Sequence, residues 1–281
     1  MSYLQAFIIA ALQGATELFP VSSLGHAVIL PKLLGWTLDE RSAAFLPFLV
    51  MLHVGTAVAL LGYFWRDWWA LAVGCVGMLD AHRTRESRYI LFLIAIATLP
   101  AVILGALLEH RLLALFSAPL AASVFLICNG GLLLFGERLR ASATGQGRRA
   151  LATLTVSDAL VVGLFQCLAL LPGMSRSGAT IVGGLLRGVD HAGSAHFSFL
   201  IATPIILGAT VLEVPKLLHG GAAPGSFHLA LLSAIVAGIV ALASTAFLMR
   251  YFRNHDTWAL NPFAFYCFIA GGLSAAWFVL V

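Results

Sequence analysis

Long apolar runs separated by short polar connections make up most of this chain. A bilayer core needs about 20 mostly apolar residues per spanning helix, and six stretches reach that length. They are Phe45–Trp65, Tyr89–Leu108, Ser117–Gly136, His196–Leu217, His228–Arg250 and Trp258–Val281. The shorter apolar segment Leu71–Leu79 is expected to lie along the membrane interface. The pattern therefore predicts an all-α polytopic membrane protein with six transmembrane helices.

Two further apolar regions, Leu4–Leu34 and Leu151–Val189, are interrupted by proline, glycine and serine. Arginines cluster in the connections before the second span and after the third and fifth, and the positive-inside rule makes those connections cytoplasmic. The first broken region must then begin and end outside, and the second must begin and end in the cytoplasm. We expect two re-entrant helical hairpins that enter from opposite faces, with both termini outside.

The two broken regions also resemble each other in sequence. Gln13 and Gln166 are each followed, six or seven residues later, by a proline that opens a Pro-x-x-Ser segment. Similar halves of opposite orientation indicate an inverted-topology repeat with a ligand site near the repeat interface. We therefore predict a single membrane domain over residues 1–281, with one repeat over about 1–140 and the other over about 150–281.

Composition agrees with this class of protein. The 281 residues are 60% hydrophobic and 10% charged, with a mean hydropathy of +0.97, whereas soluble domains carry about 25% charged residues. The chain cannot cover a water-facing surface, which excludes a soluble enzyme, a disordered chain and a nucleic-acid binder. The four cysteines lie singly in apolar runs, so neither a zinc site nor a disulfide framework is indicated.

The helix breaks, at Pro20 and at Pro172-Gly173, are where chemistry is expected. The serines that follow are good N-caps for a resumed helix. Such a helix presents free backbone N–H groups and the positive end of its dipole, which together favour anions. Arg176 lies at the second break, and arginine can grip phosphate oxygens with two parallel hydrogen bonds. Two converging helix ends would therefore hold a phosphate or a diphosphate.

Three ionisable residues, Glu17, His26 and Arg176, lie in otherwise apolar surroundings, where such groups usually face a functional cavity. A Glu17–Arg176 pair that only pins the two hairpins together is the structural alternative. Gln13 shares a helix face with Glu17, and their oxygens could supply part of a Mg²⁺ or Ca²⁺ shell. Ser23 precedes His26 by three residues, so the imidazole could take a proton from the hydroxyl.

The breaks carry a family resemblance. Gln13-x-x-x-Glu17 with Pro-Val-Ser-Ser-x-Gly-His (Pro20 to His26), and Pro-Gly-Met-Ser-Arg-Ser-Gly-Ala-Thr (Pro172 to Thr180), resemble the two motifs of the bacterial undecaprenyl-diphosphate phosphatases, the bacitracin-resistance family. The resemblance covers nearly the whole chain. It implies a multi-pass hydrolase of the bacterial inner membrane, with its site open to the periplasmic side, that converts undecaprenyl diphosphate to the monophosphate carrier used in cell-wall synthesis.

The resemblance also implies roles for individual residues. The expected catalytic residues are Ser23 as nucleophile, His26, Glu17 and Arg176. The expected substrate-binding residues are Ser22, Ser175, Arg176, Ser177 and Thr180. Glu17 and Gln13 would hold Mg²⁺ or Ca²⁺. The expected partner is a polyprenyl-diphosphate lipid and not a nucleic acid, and a homodimer is one of the oligomeric states that the sequence leaves open.

Three positions depart from the family pattern. Gln13 stands where many members have glutamate, Leu24 replaces a threonine, and His196 replaces a glutamate before Phe-Ser-Phe-Leu. These departures bear on metal affinity and on the pH optimum. His196 is expected to have a packing role, as is His53 in the first span.

Two alternatives stay open from the sequence. Within the phosphatase, His26 could activate water directly, without a covalent intermediate on Ser23. From another class of protein, a lipid-phosphate transporter or flippase would also use inverted repeats with broken helices. A nucleophilic Ser23 favours the enzyme, because a carrier needs no nucleophile.

Overall fold

The computed structural model describes residues 1–36, 45–115, 118–142, 149, 153–219 and 226–280. Within those ranges the chain forms eleven α-helices and no strand. The helices are α1 (Tyr3–Thr16), α2 (Ser23–Leu33), α3 (Phe45–Tyr63), α4 (Trp65–Cys75), α5 (Ala81–Leu115), α6 (Pro119–Ser142), α7 (Val156–Gln166), α8 (Arg176–Leu186), α9 (His191–His219), α10 (Ser226–Asn254) and α11 (Asn261–Leu280). A 3₁₀ turn, Cys167–Leu170, follows α7.

Six helices, α3, α5, α6, α9, α10 and α11, are long and apolar enough to cross a membrane. They confirm the six predicted spans, and the protein is a multi-pass membrane protein. The predicted limits at Ser117, Leu151 and Val281 lie outside the described residues. Helix α5 begins at Ala81, well before the predicted limit at Tyr89. The prediction missed its first turns because they are polar.

The segment Leu71–Leu79, expected at the membrane interface, does not form a single helix. The helix there, α4, begins at Trp65 and ends at Cys75. Gly77 has a φ of +77°, which a glycine adopts without strain and which ends the helix. The apolar segment therefore runs across a helix end.

Both broken regions begin in the same way. A capping box, in which two side chains bond each other's backbone amides, opens α1 with Ser2 and Gln5 and opens α7 with Thr155 and Asp158. Helices α1 and α2 pack on each other, and so do α7 and α8. At about 1.5 Å per residue, none of these four helices reaches the ~30 Å of a hydrocarbon core.

The packing of the broken regions on the long helices is reciprocal between the two halves of the chain. Helix α1, in the first half, packs on α10 in the second half, whereas α7 packs on α5 in the first half. Helix α3 packs against α9 and α10, and α6 packs along α11. The two halves of the chain therefore interlock.

An ion-pair network joins the two ends of the second broken region. The fully buried carboxylate of Asp158, in the first turn of α7, accepts hydrogen bonds from Arg149 at 2.8 Å and from Arg187 at 2.6 Å. Arg187 is the C-cap of α8. Arg140 of α6 donates to the carbonyl of Gly188 at 3.4 Å, so the same end of the hairpin is tied to a long helix.

Candidate active site

The first helix break runs from Glu17 to Ser22. Helix α1 ends with Glu17 as its C-cap, and Ser22 is the N-cap of α2, with its hydroxyl accepting a hydrogen bond from the amide of Gly25 at 3.2 Å. Ser22 has a φ of 67°. A serine in this left-handed region is strained, and such strain is common at functional sites. Helix α2 begins at Ser23.

The second break repeats this arrangement. Gly173 turns the chain with a φ of +108°, and Ser175 caps α8 by accepting a hydrogen bond from the amide of Gly178 at 3.1 Å. Ser175 therefore corresponds to Ser22, and not to Ser23 as the shared Pro-x-x-Ser pattern suggests. The first residue of each resumed helix is then Ser23 in one half and Arg176 in the other.

The two breaks are in direct contact. A Cβ placed on Gly25 would lie 2.8 Å from the Cα of Gly173, and one on Gly173 would lie 2.2 Å from the carbonyl oxygen of Ala122 on α6. Real Cβ atoms do not approach this closely. Glycine is therefore needed at both positions for the two helix N-termini to meet.

Asn129 of α6 joins the breaks with one side chain. Its amide nitrogen donates to the carbonyl of Pro20 at 2.8 Å, and its amide oxygen accepts from the backbone N–H of Ser175 at 3.0 Å. Beside it, the hydroxyl of Ser177 donates to the carbonyl of Phe19 at 3.1 Å. Sequence reasoning missed Asn129. An amide within the apolar run of a predicted span was the signal that could have found it.

Glu17 is the centre of the polar cluster. Its Oε2 accepts hydrogen bonds from the hydroxyl of Ser23 at 2.5 Å and from the amide nitrogen of Gln13 at 3.0 Å, and it lies 3.3 Å from Nε2 of His53. Its Oε1 accepts from Nη2 of Arg176 at 3.1 Å. The first residues of the two resumed helices thus bind opposite oxygens of one carboxylate.

Arg176 is also hydrogen-bonded to α9. Its Nη1 donates to the carbonyl of Ser198 at 3.1 Å. The hydroxyl of Thr180 donates to the carbonyl of Arg176 at 2.8 Å and lies 2.6 Å from the hydroxyl of Ser198. Thr180 therefore supports the backbone around Arg176.

His26 faces away from Ser23. Its Nδ1 donates to the carbonyl of Ser22 at 2.6 Å, and its Nε2 lies 2.7 Å from the hydroxyl of Tyr266 on α11, whose ring stacks on the imidazole. Because a carbonyl can only accept, Nδ1 carries the proton, and a neutral ring then accepts from the tyrosine at Nε2. The structure therefore gives Ser23 a carboxylate as its hydrogen-bond partner, and gives His26 a tyrosine.

The two histidines expected to have packing roles differ. His196 stacks on Phe64 and lies 3.4 Å from a carboxylate oxygen of Asp67, so it joins α9 to α4 away from the cluster. His53 instead lies beside Glu17, with its Nδ1 donating to the carbonyl of Leu49 at 2.8 Å. Its position in the middle of the first predicted span was the signal for a functional role.

A cavity of about 230 Å³ opens beside the cluster. Its polar lining residues are Glu17, Ser22, Ser23, His53, Gln166, Ser175 and Arg176. Its apolar wall comes from α2, α3, α5, the 3₁₀ turn and α9 and includes Leu24, Val50, Leu170, Ile205 and Ile206. A polar end with a cation beside an apolar wall suits an anionic amphiphile.

The remaining expected residues lie around this lining. Within the described ranges, Gln13, His26, Ser177 and Thr180 are not among the cavity-lining residues. Gln13 contacts Glu17 directly, Ser177 contacts the first break, and Thr180 supports Arg176, as described above.

The side chains present do not fit a resident Mg²⁺ or Ca²⁺ ion. The described residues contain no group of three His, Cys, Asp or Glu side chains that could hold a metal. Both oxygens of Glu17 already accept hydrogen bonds, one of them from an arginine, and Gln13 presents its N–H₂ to Glu17. A divalent cation needs several oxygen ligands, and this cluster offers a single carboxylate already occupied by donors.

The fold and the cluster define a polytopic membrane protein with a buried polar cluster of carboxylate, hydroxyl and guanidinium at the junction of two broken helices. Comparison with known proteins narrows this class. The chain belongs to the bacitracin resistance protein BacA family, whose model matches residues 6–273.

Curated relatives resemble the chain over almost its full length. It is 66% identical to the undecaprenyl-diphosphatase of Granulibacter bethesdensis, with 99% of this chain and 97% of that protein covered. It is 58% identical to the undecaprenyl-diphosphatase of Acidiphilium cryptum, with coverage of 98% and 97%. The undecaprenyl-diphosphatase of Gluconacetobacter diazotrophicus is 57% identical, with coverage of 98% and 96%.

Proposed function

We propose that this protein hydrolyses undecaprenyl diphosphate to undecaprenyl phosphate and inorganic phosphate, and so recycles the lipid carrier of cell-wall synthesis and confers bacitracin resistance. One observation carries the proposal. The hydroxyl of Ser23 and the guanidinium of Arg176, from different halves of the chain, meet on Glu17 at the edge of a half-apolar cavity. The names of the full-length relatives give the same activity.

In the proposed mechanism, Arg176 and the backbone amides at the start of α2 and α8 bind the diphosphate and neutralise its charge. Such electrostatic stabilisation supplies most of the catalysis in phosphoryl transfer. Binding therefore requires Arg176 to share its contacts between Glu17 and the phosphate oxygens. The Glu17–Arg176 pair that pins the breaks together becomes part of the site.

Ser23 then attacks the terminal phosphorus. A bond forms between its Oγ and phosphorus, the bond from phosphorus to the bridging oxygen breaks, and undecaprenyl phosphate leaves with that electron pair. The hydroxyl proton passes to Glu17, its hydrogen-bond partner at 2.5 Å. Water next hydrolyses the phosphoserine and releases phosphate. The spacing of Ser23 and His26 predicted that His26 takes this proton instead, and His26 would have to leave Tyr266 to do so.

The apolar wall of the cavity receives the first isoprene units of the substrate, and the rest of the chain lies between the spans. Residues Val50, Ile205 and Ile206, from α3 and α9, form this wall. Burial of apolar surface contributes about 25 cal/mol per Å², so the tail contributes much of the binding. The lipid enters from the bilayer.

The two broken regions are re-entrant hairpins that enter from opposite faces of the bacterial inner membrane and are related by an inverted repeat, with the site open to the periplasmic side. Three features support this arrangement: the four short helices, the meeting of both ends of the second region at Asp158, and the reciprocal packing of α1 on α10 and of α7 on α5. The protein is one membrane domain, and a homodimer is compatible with it.

Thiol labelling from one side of the membrane tests this orientation. In a cysteine-free background, single cysteines replace Trp36, just after α2, and Arg187, just after α8. An impermeant reagent outside intact cells should label the first and spare the second. Equal labelling of both positions from outside would contradict the opposite entry of the hairpins.

Phosphate release tests the activity itself. Purified protein in detergent should release phosphate from a prenyl diphosphate, and Arg176→Ala should release it far more slowly. Parallel assays with Mg²⁺, Ca²⁺ and EDTA test the metal requirement that the family resemblance implies and that the donor set does not support. Folded wild-type protein that binds the lipid without phosphate release would favour the lipid-phosphate transporter, for which the relatives' names give no support.

A further inference from the structure

His53 has a contact that the proposed mechanism leaves without a role. It lies on α3, a transmembrane helix, and lines the cavity. Its Nε2 is 3.3 Å from Oε2 of Glu17, the same oxygen that accepts the hydroxyl of Ser23. Its Nδ1 is fixed by the carbonyl of Leu49 at 2.8 Å. Since the Leu49 carbonyl and the Glu17 carboxylate can only accept, both ring nitrogens carry protons and the ring is an imidazolium. It is anchored on one side and donates to the carboxylate on the other.

We propose that His53 is a positioning residue for the phosphatase reaction, holding Oε2 of Glu17 within reach of the Ser23 hydroxyl. The inference rests on the proposed function. Arg176 attracts Glu17 through Oε1, and rotation of the carboxylate would bring Oε2 to the guanidinium as well. A donor fixed on the opposite side keeps the two oxygens apart, one for Arg176 and one for Ser23.

Gln13 cannot perform this task alone, although it also donates to Oε2, at 3.0 Å. Gln13 lies in the last turn of α1 and Glu17 is the C-cap of the same helix, so the two move together. His53 comes from a separate long helix that packs against α9 and α10. Among the described side chains that contact Glu17, His53 alone lies on a membrane-spanning helix.

The test compares two substitutions at this position. His53→Leu removes the donor, and His53→Gln restores an N–H₂ that can reach Oε2. We expect His53→Leu to lower kcat about tenfold or more, which is the usual worth of a hydrogen bond to a charged group. KM should stay within about threefold, because His53 holds Glu17 and not the lipid. His53→Gln should recover most of kcat.

A matched control comes from α10. His255 makes the same ring contact, from Nδ1 to the carbonyl of Tyr251 four residues earlier, at 3.0 Å, but it lies at an exposed helix end. His255→Leu should leave kcat and KM unchanged. Thermal unfolding in detergent checks that each variant is folded. If His53→Leu does not fold, His53→Asn, whose amide is too short to reach Glu17, takes its place.

Three results would overturn the inference: a kcat within twofold of wild type in the variant lacking the donor, a change in KM alone, or a glutamine variant as impaired as the leucine variant. The last result would mean that ring shape matters and donation does not. Wild-type protein without phosphate release in the same assay would instead remove the proposed function.

Discussion

The two helix breaks share a backbone design and differ in the side chain that each presents at the same position. Both use a serine N-cap, Ser22 or Ser175, and both resume as short helices that meet at Gly25 and Gly173. The first residue after the cap is a hydroxyl in one break and a guanidinium in the other. The repeated scaffold thus provides two anion-attracting helix ends, while the reacting group and the cation are divided between them.

The largest effect on activity is expected at the first break, where Ser23 supplies the hydroxyl. Ser23→Ala removes the proposed nucleophile and should reduce kcat by about 10⁴-fold or more, as loss of a nucleophile does in other hydrolases, while lipid binding persists. Phosphate release and binding of a labelled prenyl diphosphate measure the two quantities. Substantial turnover in the alanine variant would exclude the covalent route and favour direct attack by water.

The next largest effect on activity is expected at the second break, where Arg176 supplies the cation. Arg176→Ala should lower kcat/KM by about 10²- to 10³-fold, because a charge-assisted contact disappears from a water-poor site. Arg176→Lys should recover only part of the lost kcat/KM, since lysine cannot form the bidentate contact. Arg187→Ala, at the other end of α8, is the control: it removes a contact with Asp158 and should lower thermal stability without this loss of turnover.

The link between the breaks can be removed without touching either one. Asn129→Leu leaves the carbonyl of Pro20 and the N–H of Ser175 without their buried partner. Each such loss costs about 1–3 kcal/mol, so the midpoint of unfolding in denaturant should fall clearly. Asn129→Asp keeps only the acceptor for the N–H of Ser175, so its unfolding midpoint should lie between those of the wild type and the leucine variant. A leucine variant as stable as wild type would show that the breaks do not depend on this link.

The smallest expected effect is the loss of stability when either N-cap serine is replaced. Ser175→Ala should cost about 1 kcal/mol of stability, the usual worth of an N-cap. Ser22→Ala should cost about as much, because alanine loses the cap and keeps the strain, whereas Ser22→Gly should cost less, because glycine relieves the strain of the positive φ. Unfolding curves of the three variants rank them. Equal losses for Ser22→Ala and Ser22→Gly would indicate that the strain at Ser22 is negligible.

Most of the fold could be predicted because the membrane imposes a simple length rule on apolar helices. The six spans, the two breaks and the serine caps all follow from it and from the turn residues. The limits of α4 could not be predicted, because Gly77 ends the helix within an apolar segment. The structural equivalence of Ser22 and Ser175 also could not be predicted. The Pro-x-x-Ser pattern pairs Ser175 with Ser23, and only the backbone angles show that the equivalent residue is Ser22.

The candidate site could be predicted in its residue types more than in its contacts. Glu17, Ser23 and Arg176 stand out as polar groups at helix breaks, and the structure brings them together. The partner of Ser23 could not be predicted, because the spacing of Ser23 and His26 says nothing of Tyr266 on a helix far along the chain. His53 and Asn129 reach the breaks from other helices, which only tertiary packing reveals.

The half-apolar cavity has a consequence for which molecules the protein leaves intact. Water-soluble compounds such as nucleotides contain the same phosphoanhydride bond and would react at a fully polar, open site with this chemistry. Here Val50, Ile205 and Ile206 give part of the cavity an apolar wall. A head group without a tail gains nothing from that wall, so soluble phosphoanhydrides that reach the site should be poor substrates.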